Sequence, residues 1–73
     1  MPRPASKYQQ GLSHAEQDLR AATVYGWSIS SLPSAAEVVR EVKLSCAHAG
    51  LYEPDEYWLG YEHGIQAAQE NAQ

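Results

Sequence analysis

Phenylalanine is absent from this chain of 73 residues, cysteine occurs once, and large aliphatic residues are scarce. Leu, Ile and Val number 12, below the roughly 20% of residues at which core supply becomes marginal. Of the 32 residues behind the 44% hydrophobic fraction, 11 are alanine. Two Trp and five Tyr make up part of the deficit, because each offers a large apolar body with a polar tip. A net charge of -4 is too small to expand the chain by self-repulsion. The expectation is one small folded domain that gains stability from a partner or a second copy.

Other shortages exclude whole classes. Cys46 is alone, so no internal disulfide can form. No charged start followed by an apolar run and a small-residue cleavage site reads as a secretory leader, and a reducing, cytoplasmic location is expected. Unbroken apolar stretches reach only two or three residues, far short of the ~20 that span a bilayer. No membrane role is expected.

Bases are missing from residues 51 to 73, which carry Glu53, Asp55, Glu56, Glu62 and Glu70 and sum to -5. Residues 1 to 50 hold all five bases, scattered as Arg3, Lys7, Arg20, Arg40 and Lys43, against four acids. That distribution lacks the clustered positive footprint of a nucleic-acid-binding protein.

The apolar residues that are present fall at helical spacing. Tyr8, Leu12, Ala15, Leu19, Ala22 and Gly26 step by four and three, one narrow face of a helix and a natural seam. Ser13 with Glu16 makes a capping box, so the spacing predicts a helix over residues 14 to 25 behind a flexible lead-in of residues 1 to 13. Tyr25, Trp27 and Ile29 alternate with small residues and read as an extended connector, since no second strand-like run exists to pair with them. Pro33, then Ser34 with Glu37, opens a second helix that Gly50 ends, over about residues 34 to 49. Its buried face is Ala35, Val38, Val39, Val42, Cys46 and Ala49, which leaves Leu44 outside. Pro54 with Asp55 and Glu56 opens a third helix over about residues 55 to 70. Tyr57, Trp58, Tyr61, Ile65, Ala68 and Ala72 share its apolar side, and Leu59 falls on the polar one. Gly60 and Gly64 on the margin suit close approach of another helix. The fold expected is a compact all-α domain of three helices over residues 14 to 70 with a short tail at 71 to 73, as a homodimer seamed along Tyr8 to Gly26 in one reading.

Chemistry-bearing groups do not converge. Cys46 and His48 are two apart on a helix and point about 200° away from each other, and His14, His48 and His63 lie in three different helices. No metal or other cofactor is expected. Cys46 sits on an apolar stripe, where a thiol is buried and inert. No nucleophile elbow or Gly-rich phosphate loop is present. Enzyme activity is not expected. A helix reading DEYWLGYEHGIQAAQE would carry carboxylates toward a polyanion, so direct nucleic-acid binding is not expected either.

What remains is an acidic and aromatic surface of Tyr52, Glu53, Asp55, Glu56, Leu59, Glu62 and His63. It suits a larger protein with a basic surface, with charge setting orientation and Leu59 and Tyr52 as anchors. The expectation is a non-enzymatic modulator that occludes a basic or nucleic-acid-binding surface of that protein; a structural homodimer or assembly subunit is the alternative. In kind, a short acidic helical chain without a catalytic constellation resembles accessory and inhibitor proteins of bacteriophages and other mobile elements. The segment Trp58-Leu59-Gly60-Tyr61 followed by Gly64 is similar to a segment of ribosome modulation factor and its small relatives, covering about a tenth of the chain. That resemblance implies ribosome association, although this chain departs from those basic proteins in charge.

Overall fold

The computed structural model describes residues 6–71. Two serine caps and two glycine stops set most of its boundaries. Helix α1 spans Lys7–Val24, α2 Ala35–His48 and α3 Asp55–Asn71, with a single 3-10 turn at Ile29–Ser31 between α1 and α2. No strand occurs among the described residues. The chain is therefore all-α with three helices, as the periodicity predicts.

The start of α1 differs from the expectation. Ser6 caps the helix by accepting the Gln9 N–H at 3.2 Å, so helix begins seven residues before 14 and the expected lead-in is helical from Lys7 onward. Residues 1 to 5 of that lead-in lie outside the described residues, as do 72 and 73 of the tail. Two Ser-x-x-Glu/Gln signatures compete here, Ser6 with Gln9 and Ser13 with Glu16. The earlier one wins because extending the helix lets Tyr8 and Gly11 pack on α3. Gly11 normally weakens a helix interior by about 1 kcal/mol, yet here it is buried at a contact that no larger residue could make.

The ends of α1 and α2 follow one pattern. Gly26 adopts φ +89 and Gly50 φ +78. Around the first, Trp27 N–H bonds to Ala22 C=O and Gly26 N–H to Thr23 C=O, both at 3.0 Å; around the second, Leu51 bonds to Cys46 at 2.8 Å and Gly50 to Ala47 at 3.0 Å. These are Schellman stops, in which a left-handed glycine satisfies the last carbonyls. Gly26 is thus a turn residue rather than the last member of the α1 seam. The expected extended connector is likewise corrected: after Gly26 the chain enters the 3-10 turn, where only Ile29 packs on the core, while Tyr25 and Trp27 are exposed. Ser34 Oγ accepts the Glu37 N–H at 3.4 Å to start α2, and the Pro54 carbonyl accepts the Tyr57 N–H at 3.0 Å to start α3.

Helix α3 is the centre. Both other helices and the 3-10 turn pack on it, and the molecule measures 37 × 31 × 20 Å. Its Tyr57, Trp58, Tyr61 and Ile65 form the buried core with Ala15 and Leu19 of α1 and Ala35 of α2. Val38, Val39, Val42 and Cys46 border that core half-buried, whereas Ala49, expected on the buried face, is the exposed C-cap of α2. Contacts advance together along α1 and α3: Gly60 meets Tyr8, and Gly64 meets Leu12 and Ala15. The two helices therefore run in the same sense, with the Gly11-x-x-x-Ala15 face of one against Gly60-x-x-x-Gly64 of the other. A Cβ on Gly11 would strike the Tyr57 carbonyl oxygen, and a Cβ on Gly60 the Tyr8 carbonyl oxygen. Small residues at such positions let backbones touch, directing glycine hydrogens at carbonyls. The homodimer seam expected along Tyr8 to Gly26 is thereby occupied by α3 of the same chain, with Ala15 fully buried and Leu19 only 7% exposed.

Gly60→Ala drives a methyl into backbone and is expected to cost about 3 kcal/mol, at the upper end of overpacking penalties. Gly50→Ala meets open space and is expected to cost only about 1 kcal/mol for its left-handed φ. Urea unfolding of both variants by circular dichroism measures the difference.

Candidate functional site

Among the proposed surface residues, Asp55, Glu56, Leu59 and Glu62 come together. They line one shallow concavity of about 360 Å³ between α2 and α3, completed by Val39 and Trp58. Helical spacing explains the grouping, since Asp55 and Glu56 lie one turn before Leu59 and Glu62 nearly one turn after it. Leu59 is 47% exposed at the centre of that acidic run. Leu44, the other leucine expected on a polar face, is exposed on α2 but lines a different hollow with Pro33, Glu37, Arg40 and Glu41.

The remaining proposed residues face elsewhere. Glu53 pairs with Lys7 of α1 at 3.2 Å, and the His63 Nδ1 lies 2.7 Å from the Tyr8 hydroxyl, with the rings edge-on at 5.6 Å. Tyr52 is 78% exposed in the α2–α3 connection but does not line the cleft. Asp55 has Lys43 of α2 at 3.9 Å, a solvent-exposed pair of little energetic weight. Folding therefore brings two of the chain's five bases onto the surface that looked uniformly acidic in sequence. Glu56 and Glu62 meet no cation among the described residues, which concentrates the unbalanced charge on either side of Leu59.

Gly60 and Gly64, offered to a partner helix by the sequence, are used within the chain by α1. Beside that seam, tyrosine tips are bonded across it. Tyr57 Oη lies 2.6 Å from His14 Nδ1, and Tyr61 O–H donates to Asp18 Oδ2 at 2.5 Å. Two of the three histidines are thus engaged with tyrosines, and no group of three or more metal-ligating side chains occurs among the described residues. Cys46 is half-buried rather than sealed in the core, and it is a free thiol. Burial raises both the Tyr57 and Tyr61 hydroxyls above the usual tyrosine range; Glu53 and Asp18 add to the first, and the Asp18 bond adds to the second. No described helix is long and apolar enough to cross a membrane.

Sequence reasoning missed a second concavity. It lies between α1 and α3 and is lined by Leu19, Val24, Ile29, Gly64 and Ala68, with Glu16, Arg20 and Thr23. The signal was Val24, an apolar residue of α1 that falls off the helical stripe. Comparison with protein-family models, with curated proteins and with solved structures found no match to this chain.

Tyr57 and Tyr61 hold their protons to higher pH in the folded chain than in the unfolded one, where they ionise near 10.0. Their contribution to stability is fully present below that pH and is lost as pH rises through the folded values. Tyr61→Phe is expected to flatten the alkaline fall in urea-unfolding stability; an unchanged slope above pH 10.0 would remove Tyr61 as its source.

Proposed function

We propose that the chain is a non-enzymatic, protein-binding modulator that inhibits or redirects a larger protein by covering a basic surface, acting in the cytoplasm. The observation that carries this reading is the cleft between α2 and α3, where Glu56 and Glu62, without cationic neighbours among the described residues, flank half-exposed Leu59. The carboxylates supply long-range attraction and orientation, while Leu59 and the edge of Trp58 supply apolar contact once water is expelled. Val39 gives the cleft an apolar wall on α2, so a partner presenting an apolar side chain ringed by Lys or Arg fits it. Asp55 is the weaker contributor because Lys43 lies beside it, and Glu53, His63 and Tyr52 belong to the surrounding surface.

The test is affinity capture from a lysate of the source cell at low and moderate salt, comparing the native chain with Leu59→Asp and with Glu56→Lys/Glu62→Lys. One stoichiometric, salt-sensitive partner, lost with both variants, is expected. Leu59→Asp is expected to change unfolding stability by no more than about 0.5 kcal/mol, as surface substitutions do. A partner retained by both variants would refute the cleft as the binding surface, and recovery of ribosomal proteins would favour ribosome association instead.

A further inference from the structure

The second concavity, about 510 Å³ between the C-terminal halves of α1 and α3, is almost wholly apolar. The chain between two of its lining residues, Val24 and Ile29, carries Tyr25 and Trp27. Val24, Tyr25 and Trp27 are 83%, 82% and 62% exposed, among the most exposed large hydrophobic residues described. A hollow and exposed aromatic side chains of the kind that could fill one thus lie side by side along the chain.

We propose that this face binds a second copy of the chain as a two-fold symmetric dimer, with Tyr25 and Trp27 of each copy entering the hollow of the other. A two-fold interface uses the same patch on both copies, so the patch must carry knob and hole together. The size fits a weak dimer. An aromatic side chain buries about 150 Å² or more. Two per copy, entering a hollow whose own lining is smaller than they are, bring the total to about 800 Å², the size class of weak and transient association.

Charge selects the same occupant. The charged residues lining the hollow are Glu16 and Arg20, which bond to each other at 2.8 Å and stand well exposed. Across a two-fold axis Arg20 of one copy can face Glu16 of the other. The lining is therefore neutral and self-complementary, a place where two chains of net charge -4 can meet without repulsion. A basic partner finds no net attraction here. The acidic cleft shares no lining residue with this hollow, so a dimer leaves both clefts free for the function proposed above.

Sedimentation equilibrium from micromolar to millimolar concentration tests the proposal on the full chain. A dimer is expected, and Trp27→Ala should weaken it at least about 30-fold, the effect of removing a central aromatic anchor. Circular dichroism and thermal unfolding of the monomer should be unchanged by that substitution. Glu16→Arg and Arg20→Glu should each weaken self-association, while an equimolar mixture of the two should form a heterodimer preferentially. A chain that stays monomeric throughout overturns the proposal. So does a dimer insensitive to Trp27→Ala, or one broken by Leu59→Asp, which would place the contact at the acidic cleft.

Discussion

Where the Tyr8 carbonyl lies against Gly60 and the Tyr57 carbonyl against Gly11, α1 and α3 touch backbone to backbone, and the rest of the molecule is arranged around that contact. Close approach brings Ala15 to Gly64 and seals Ala15 from water to a degree that so small a side chain could not achieve between helices at ordinary separation. It also fixes the height at which side chains on the flanks face one another. Tyr8 reaches His63, His14 reaches Tyr57, and Asp18 reaches Tyr61, so hydrogen-bonded pairs run alongside the glycine seam.

A chain poor in Leu, Ile and Val fills its core with aromatic rings instead. Tyr57, Trp58 and Tyr61 contact one another, Tyr57 and Trp58 at 4.9 Å with perpendicular rings. Using tyrosine for this purpose obliges the fold to provide a partner for each buried hydroxyl, because an unpaired polar tip would cancel much of the gain. His14 and Asp18 of α1 meet that obligation, and among the described residues no buried side-chain nitrogen or oxygen lacks a partner. The polar pairs are consequences of the composition. They hold tyrosines in place and engage His14 and His63 in doing so.

With α1 and α3 locked together, α2 is left to pack on one side of α3, and its partial cover opens the acidic cleft. The cleft was half legible in sequence. Helical rotation alone put Leu59 on a face with Glu56 and Glu62, and the structure gives Leu59 the exposure that rotation implies. It could not show that Lys7 and Lys43, distant along the chain, sit beside Glu53 and Asp55. Nor could it assign Val39 and Trp58 to the same hollow. Those pairings depend on how α2 and the start of α1 lie against α3, and periodicity within one helix carries no information about that.

The sequence by itself determined that the chain is helical, where α2 and α3 start, where α1 and α2 stop, and which residues of α3 are apolar. Caps, left-handed glycines and three-and-four spacing act over a single turn, so a linear reading reaches them. The same local rules offered two starts for α1 and allowed its stripe to serve as a seam between copies. Only tertiary structure decided both points, because Gly11 is unfavourable in an isolated helix and becomes an asset once the α3 backbone lies against it. The exposure of Val24, Tyr25 and Trp27 was decided at the same level: the α1 stripe is buried only as far as Leu19, and beyond it α1 and the turn at Gly26 leave those three side chains open to solvent.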